Sequence, residues 1–419
     1  MNEDFLQYIW RYELFIGDYY VNNQKIEILN VGSLNTDSGP DFFNAKVKMD
    51  GKIWVGNIEI HKKSSDWFVH KHEIDQAYNN VILHVVEKID KPVYDTKGRE
   101  IPQIELNFEH KLLENYTQLL NSTHKINCES QIEKINKFDL SLWLDTLLVE
   151  RLERKSSDIR ILLKNKTNDW EEVLYTLILR YFGLKINSEP FEMLARSLPL
   201  KYILKQKNSL TSIEAMLFGQ AGFLHENPDD EYVKTLQKEY KFLKSKYNLE
   251  PIDKSNWKFM RIRPASFPTV RIAQVSVLLF KHNNIFADIL EQKNIKDLYK
   301  LFDINPSKYW ESHYKFGTES KNRNKKLGKQ TITLIIINVV IPMLFVYGDE
   351  RNIAKYKDRA LNYLQEIEKE NNSIIRYWNS IGVETKSAYE TQAILELHNN
   401  YCQKNMCLKC RIGNKLIKI

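Results

Sequence analysis

The hydrophobic periodicity of this chain changes near residue 110, and this change limits its possible folds more than any other feature. Before that point apolar residues alternate with polar ones in short runs bounded by turn residues, as in FFNAKVKM (42–49), which is typical of strands. Further along, apolar residues recur at the three- and four-residue spacing of helices. We therefore predict an α+β protein, with an α/β domain over residues 1–110, a linker over 111–137 and a mostly helical domain over 138–419 that ends in a cysteine-rich motif.

The first domain has a predicted element order of helix, strand, hairpin of two strands, helix and strand. Phe5, Ile9 and Tyr12 indicate a first helix, and residues 25–31 indicate a first strand. After the hairpin, Ser64-Ser65-Asp66 supplies capping side chains for a helix over about 67–78, and VILHVV (81–86) follows as a strand.

The hairpin between these elements, SGPDFFNAKVKMDGKIWVGNIEIHKK (38–63), has two possible turns, and a one-residue difference in register changes which side chains share a face. A two-residue Asp50-Gly51 turn would mix apolar and lysine side chains on one face. A three-residue loop over 49–51 separates them, so we predict that Lys48 pairs with Lys52. The predicted apolar face then consists of Phe43, Ala45, Val47, Ile53 and Val55.

The predicted register places Asp41 opposite Glu59, with His61 on the same face. Two opposed carboxylates repel each other unless a cation or a proton lies between them. Carboxylate oxygens bind Mg²⁺ or Mn²⁺, and such an ion activates water and neutralises charge on a phosphodiester. In the structural alternative, Asp41 caps the turn after Gly39-Pro40 and Glu59 pairs with a lysine.

The element order, together with Pro40-Asp41 and Glu59-Ile60-His61, resembles the core of the PD-(D/E)XK nuclease superfamily. The resemblance implies that Asp41 and Glu59 bind the metal ion. His61 stands where that superfamily usually has a lysine, so His61, or Lys63 one pleat further along, is expected to position the attacking water. The resemblance also implies a glutamate from the first helix, for which Glu13 is the candidate.

At a finer level, the run from GPDFFNAKV to YNNVILHVV and the C-terminal CQKNMCLKCRIG resemble a family of uncharacterised bacterial proteins, domain-of-unknown-function family 2851. That resemblance extends over nearly the whole chain. It implies no established activity.

Four of the ten histidines lie within 24 residues: His61, His70, His72 and His84. His72 and Asp75 share a helix face at i, i+3 spacing, so His70, His72 and Asp75 are candidates to contact substrate or a bound water. The alternative for each histidine is a structural role with its hydrogen bonds satisfied. His84 lies in the apolar VILHVV and is expected to be a buried, hydrogen-bonded core residue.

The four cysteines are too few for a disulfide framework and are typical of a reducing compartment. Cys407 and Cys410 have the spacing of a metal knuckle, and Cys402 precedes them by a short loop. With His398 as fourth ligand they would form a local zinc site. With Cys128 they resemble the iron–sulfur site of some nucleases of the same superfamily. In the simplest alternative, the four pack as small reduced hydrophobic residues.

Net charge and hydropathy bear on partners and location. The net charge of +7 and the basic cluster over 321–329 favour a nucleic-acid partner, although a solvated loop would have the same composition. The N-terminus MNEDFLQYIW lacks the pattern of a secretory signal, and the apolar stretch 332–347 is short for a membrane span and contains Asn338 and Pro342. We expect a cytoplasmic protein without a membrane partner; the oligomeric state is not predicted.

Two functions are compatible with these features. The first is a metal-dependent nuclease-like phosphodiesterase that acts on nucleic acid. The alternative is a non-catalytic protein that binds nucleic acid or another protein on a degenerate nuclease scaffold. Fold alone does not separate them, because chemistry depends on the site.

Overall fold

The computed structural model describes residues 2–225 and 229–419, which form two compact units. The first unit contains the residues up to Trp143 together with Leu397–Ile419, and the second contains Leu144–Glu396. Helices account for 55% of the chain and a sheet accompanies a large helical part, so the predicted α+β class is confirmed.

The C-terminal segment, which the sequence assigned to the helical domain, lies in the first unit. Helix Arg411–Lys418 packs against helix His110–Leu120. Two side chains of helix His110–Leu120 bind the end of the chain. Lys111 Nζ donates to the Ile419 carbonyl at 2.6 Å, and Asn115 Nδ2 donates to the Ile417 carbonyl at 3.0 Å. The chain thus leaves the first unit and returns to it.

The described residues of the first unit form a seven-stranded sheet. Its strands are β1 (Tyr19–Val21), β2 (Gln24–Asn30), β3 (Ser33–Leu34), β4 (Phe42–Met49), β5 (Lys52–Lys63), β6 (Val81–Lys88) and β7 (Gln103–Glu105). The spatial order is β1-β2-β4-β5-β6-β7, and β3 pairs with β4 beside this path. Pairing is antiparallel from β1 to β5 and parallel from β5 to β7. Because β5 and β6 are parallel, the chain between them must cross back over the sheet.

The described residues of both units form these helices in chain order: α1 (Glu3–Arg11), α2 (Asp66–Val69), α3 (His110–Leu120), α4 (Lys137–Asn165), α5 (Trp170–Phe182), α6 (Ser188–Ser197), α7 (Leu200–Leu204), α8 (Leu210–Gln220), α9 (Glu231–Tyr247), α10 (Pro268–Lys281), α11 (Ile285–Glu291), α12 (Ile295–Leu301), α13 (Lys329–Ile335), α14 (Ile341–Glu350), α15 (Ala354–Glu366), α16 (Ser373–Ser380), α17 (Ala388–Leu397) and α18 (Arg411–Lys418). The second unit also has a small two-stranded sheet of β8 (His313–Lys315) and β9 (Thr318–Glu319).

The crossing between β5 and β6 is not the single helix predicted over 67–78, and that prediction is wrong. One helical turn, α2, is followed by two 3₁₀ turns, His72–Ile74 and Gln76–Tyr78. Lys71, which lies between α2 and the first 3₁₀ turn, has a left-handed φ of 63°, and this conformation ends α2. The crossing is therefore broken into three short pieces.

The predicted hairpin turn is also wrong. Asp50 and Gly51 have φ angles of 50° and 69°, as a two-residue type I′ turn requires, and Met49 pairs with Lys52. Ile53 and Val55 consequently lie on the outer face, where they are 62% and 59% exposed. The predicted composition of the apolar face was wrong because it assumed that Ile53 and Val55 are buried.

A second irregularity in the same hairpin restores the predicted pairing at its open end. Ala45 pairs with Gly56 but Phe42 pairs with Ile58, so β4 contains one extra residue at this point. Asn44, within the bulge, has a positive φ of 58°. The bulge offsets the shorter turn by one residue, and Asp41 still lies across from Glu59.

One helical stretch of the described residues, Lys329–Glu350, is long and apolar enough to cross a membrane. Within the protein, 78% of its most apolar window is buried, which indicates a core helix of a soluble protein. Pro342 has no amide hydrogen to donate, and the stretch adopts a π-helical segment, Ile336–Val340, just before it.

Candidate metal centre

A cluster of one carboxylate and several imidazoles lies on one face of the sheet, next to the crossing between β5 and β6. Glu59 and His61 alternate on β5 and therefore point to the same face. His70 directly follows α2, and His72 begins the first 3₁₀ turn. The short elements of the crossing bring these two histidines back over β5.

The donor atoms of the cluster are spaced as ligands of a single ion would be. His72 Nε2 and His61 Nε2 lie 3.3 Å and 3.5 Å from Glu59 Oε1, and His70 Nδ1 lies 3.0 Å from His61 Nε2. One ring nitrogen from each of the three histidines lies within 4.8 Å of the others. Bonds of about 2.0–2.1 Å in a tetrahedral site separate the ligand atoms by about 3.3 Å. The observed spacings are close to that value.

Glu59 is oriented toward the histidines by the start of β4. The Asp41 backbone N–H donates to Glu59 Oε2 at 3.0 Å, which leaves Oε1 to face the imidazoles. The Asp41 carboxylate is held in turn, because Oδ2 accepts from the Ile60 N–H at 3.0 Å and Oδ1 accepts from Gln7 Nε2 at 2.8 Å. The two acids thus lie together, but they present their oxygens in different directions.

Burial sets the protonation of this cluster. It raises the pKa of Asp41 to about 7, with a further contribution from Glu59, and raises the pKa of Glu59 to about 8. Burial and the neighbouring imidazoles lower the pKa of His61 to about 2, and burial also lowers the pKa of His72. Neutral imidazoles keep the lone pair that a metal ligand needs.

A second layer of side chains fixes the rings. His61 Nδ1 lies 2.8 Å from His84 Nε2, and His84 is fully buried on β6, as the sequence predicted. Tyr78 stacks on His72 with ring centroids 3.7 Å apart, and Trp67 contacts His72 edge-on and His84 at a tilted angle. His72 Nε2 is nevertheless buried without a hydrogen-bond partner, which leaves it free to bind a ligand.

Three of the sequence-predicted candidates lie outside this arrangement. Lys63 is exposed near the end of β5, where it pairs in register with Lys88. Glu13 is exposed in the turn after α1, with a left-handed φ of 51°. Asp75 caps the second 3₁₀ turn by accepting from the Ala77 N–H at 2.9 Å.

The side chains of α1 that act on the acids are Gln7 and Glu3, which the sequence analysis missed. Gln7 binds Asp41 directly, and the charge of Glu3 raises the pKa of both Asp41 and Glu59. Glu3 and Gln7 are four residues apart and share one helix face. That spacing beside the buried stripe of α1 is the signal that would have identified them.

A cavity of about 180 Å³ lies beside Gln7 in the first unit. Its walls combine the aromatic rings of Tyr8 and Tyr12 with the cations Arg11, Lys404 and Lys409. The rings of Tyr8 and Tyr12 are 5.1 Å apart, and the Arg11 guanidinium lies 5.4 Å from the Tyr12 ring. Aromatic faces and cations together suit the bases and phosphates of single-stranded nucleic acid.

The basic cluster over 321–329 in the second unit has mostly internal partners. Lys325 is buried and donates from Nζ to the Glu311 carbonyl at 2.8 Å, as well as to the Trp310 carbonyl. Lys326 pairs with Asp303 at 2.6 Å, and Lys329 lies 3.5 Å from Glu368. Three of the five basic residues of this cluster therefore have a partner within the protein, whereas Lys321 and Arg323 are exposed.

The four cysteines line one small cavity elsewhere in the first unit, whereas His398 is not among its lining residues. Burial, and then the charges of Cys410 and Cys407, raise the pKa of Cys128 to about 12. Burial, with a smaller contribution from Cys407, raises the pKa of Cys410 to about 11. Burial also lowers the pKa of His398.

The fold and the cluster define a mixed α+β protein with a buried carboxylate–histidine site on its sheet. More particularly, the chain belongs to the family described as "Protein of unknown function (DUF2851)", whose profile matches residues 3–373. Comparison with curated proteins and with solved structures gave no match.

Proposed function

We propose that this protein is a metal-dependent phosphodiesterase that cleaves nucleic acid, and that Glu59, His61 and His72 hold the catalytic ion. The observation that carries the proposal is the position of the His72 and His61 Nε2 atoms, 3.3 Å and 3.5 Å from Glu59 Oε1. The similarity of Pro40-Asp41 and Glu59-Ile60-His61 to the PD-(D/E)XK nucleases supports the same class of reaction.

The donor set bears on which ion would be bound. Imidazole nitrogens are ligands for Zn²⁺ and other transition ions, whereas Mg²⁺ prefers an all-oxygen shell. The set is therefore better suited to Mn²⁺ or Zn²⁺ than to Mg²⁺, although the sequence treated Mg²⁺ and Mn²⁺ as equal candidates. An oxygen-preferring ion would require Asp41 to turn away from Gln7 and share the ion with Glu59. A divalent ion in this position supplies an activated water and neutralises charge on the phosphodiester.

The remaining groups have separate roles in the proposal. His84 accepts a hydrogen bond from His61 Nδ1 and so presents Nε2 of that ring as the ligand. Asp41 orients Glu59 through its backbone N–H. His70 is exposed at the mouth of the site and transfers a proton to the leaving oxygen. His61 is buried as a ligand, so it does not itself position the attacking water.

The substrate is assigned from the cavity beside Gln7. Arg11, Lys404 and Lys409 would bind phosphates there, while the exposed ring of Tyr12 would stack on a base. Gln7 connects this cavity with Asp41 through a hydrogen bond of 2.8 Å. A strand bound along these walls would lead its backbone toward the cluster. We place this activity in the cytoplasm.

The test is a cleavage assay on single-stranded DNA, double-stranded DNA and RNA. Each substrate is incubated with purified protein in Mn²⁺, Zn²⁺ or Mg²⁺, and after removal of metal with a chelator. We expect cleavage with Mn²⁺ or Zn²⁺, no cleavage after chelation, and at least about a 100-fold loss in His72→Ala and His70→Ala. Glu87→Gln, an exposed acid on β6 of the same sheet, is the matched control and should retain the wild-type rate.

Two outcomes would contradict the proposal. If the wild type cleaves no substrate with any ion, the phosphodiesterase assignment fails, and retained binding of the same substrates would favour the non-catalytic nucleic-acid-binding alternative. If His72→Ala and Glu87→Gln cleave equally well, the activity does not come from this cluster.

A further inference from the structure

Four cysteines that are far apart in the chain meet around one cavity in the first unit. Cys128 precedes a 3₁₀ turn, whereas Cys402, Cys407 and Cys410 lie in the C-terminal segment. All four are free thiols; Cys128 and Cys410 are buried, and the other two are half-buried. The cavity between them is about 20 Å³, and its other walls are mainly apolar. A space of this kind offers sulfur ligands and little else.

Polar hydrogens point at the sulfurs. Asn127 Nδ2 lies 3.7 Å from Cys407 Sγ. The backbone N–H groups of Ile412 and Gly413, at the start of α18, donate to the Cys410 sulfur. Neutral thiols packed as small hydrophobic residues need no such donors, whereas metal-bound thiolates are typically stabilised by them.

The loop that carries the cysteines is held close to α18. A Cβ atom on Gly413 would lie 2.2 Å from the Cys407 carbonyl oxygen, so only glycine permits this approach. The close contact brings Cys407 and the first turn of α18 to the same side of the cavity. The two cysteines of the knuckle are thereby fixed relative to each other.

The spacing of the sulfurs indicates the kind of centre. Bonds of about 2.3 Å to one tetrahedral zinc ion hold four sulfurs about 3.8 Å apart. Among the described residues, which include all four cysteines, no three cysteine sulfurs lie within 4.8 Å of one another. The thiols are therefore spaced more widely than the ligands of one ion, as thiols are when they bind different metal atoms of a cluster.

We infer that Cys128, Cys402, Cys407 and Cys410 bind an iron–sulfur cluster that fastens the C-terminal segment to the rest of the first unit. Four cysteines are the ligand set of such clusters. His398 is excluded from the set because it does not line the cavity, and its Nε2 faces Gln403 at 3.4 Å. The inference is independent of the phosphodiesterase proposal and would survive its failure.

The test uses full-length protein produced with added iron and purified without oxygen. Iron, acid-labile sulfide and zinc are measured, and the visible absorption spectrum is recorded. We expect iron and sulfide in comparable amounts and a visible chromophore in the wild type. Cys128→Ser and Cys407→Ser should lose most of both, while His398→Gln should retain them as the matched control.

The wild type provides a second measurement that does not depend on the folding of a variant. Air or an iron chelator should bleach the chromophore and lower the thermal unfolding midpoint, because binding energy of the centre contributes to folding. Absence of both metals from the anaerobic wild type would overturn the inference in favour of packed thiols. Zinc without iron would overturn the iron–sulfur cluster. Loss of metal in His398→Gln but not in Cys128→Ser would overturn the proposed ligand set.

Discussion

Two buried glutamates, one in each unit, have almost the same electrostatics and very different surroundings. Burial raises the pKa of Glu59 to about 8 and that of Glu214 to about 7. Around Glu59 the neighbours are imidazole nitrogens, one of them unpartnered. Around Glu214, on α8, they are hydroxyls, and Ser307 Oγ donates to its Oε1 at 2.6 Å. Similar pKa values therefore occur in two different chemical settings.

The comparison shows that a raised pKa does not identify a site by itself. A carboxylate among hydroxyl donors has a complete set of partners and is a structural element of a helical core. A carboxylate among neutral imidazoles has neighbours with lone pairs, which only a proton or a cation can bridge. The donor types decide the interpretation, and the following predictions test the difference.

The largest effect is expected for removing the charge from each acid in turn. Glu59→Gln should reduce Mn²⁺ affinity and cleavage by more than about 100-fold, because replacing a ligand should cost more than disturbing the residues that support it. Glu214→Gln should leave both unchanged. Calorimetric Mn²⁺ titration and the cleavage assay measure these values. Equal losses in the two variants would mean that the substitutions act through general instability.

A large effect on stability, rather than on metal binding, is expected for Glu214, and this effect depends on pH. Its folded-state pKa lies above the ordinary glutamate value of 4.5, so the folded protein binds the proton more tightly and loses stability as pH rises from about 4.5 to 7. A shift of that size corresponds to roughly 3 kcal/mol. Glu214→Gln should therefore be more stable than wild type by up to roughly 3 kcal/mol at pH 8, and about equal to it at pH 4. Urea unfolding at both pH values checks this; an equal gain at both would show that the carboxylate charge is not the cause.

A smaller effect is expected for the residue that orients the ligand His61. His84→Leu removes the ring nitrogen that lies 2.8 Å from His61 Nδ1 and places an apolar side chain in the core beside β6. Loss of such a supporting partner typically lowers metal affinity by about 10- to 100-fold. Ile82→Leu, on the same face of β6, is the control for altered packing, and a comparable loss there would assign the effect to packing.

Much of the sheet and of the cluster could be predicted because the necessary information is local. Glu59 and His61 share a face by strand alternation, and His84 lies in an apolar run. The turn at Asp50-Gly51 and the bulge at Asn44 could not be predicted, because alternation implies burial of Ile53 and Val55, which are exposed on the outer face. The two errors compensated, so Asp41 lies opposite Glu59 for a reason other than the predicted one.

Contacts between distant residues were less accessible to prediction. Gln7 binds Asp41 across 34 positions, and nothing in either local pattern specifies the pair. Cys128 joins the C-terminal cysteines across a far longer separation, yet it was a candidate from sequence, because three cysteines of a metal site need a fourth ligand and few residue types can supply it. The prediction of one helix over 67–78 was wrong for a third reason. The hydrophobic periodicity of this segment is continuous, but Lys71 has a left-handed conformation that divides it.

The smallest effect is expected for Lys63, the residue proposed from sequence to replace the lysine of the resembling nucleases. Its side chain is exposed near the end of β5, and the interaction that fixes its position is made by the backbone, whose N–H donates to Asp66 Oδ2 at 2.9 Å. Lys63→Ala preserves that bond and changes only surface charge, a substitution usually worth less than about 0.5 kcal/mol. Cleavage by Lys63→Ala should therefore remain within about threefold of wild type, whereas His70→Ala loses at least about 100-fold. The reverse ranking in one assay would return the water-positioning role to Lys63 and place the catalytic centre nearer the end of the strand than Glu59 and its histidines.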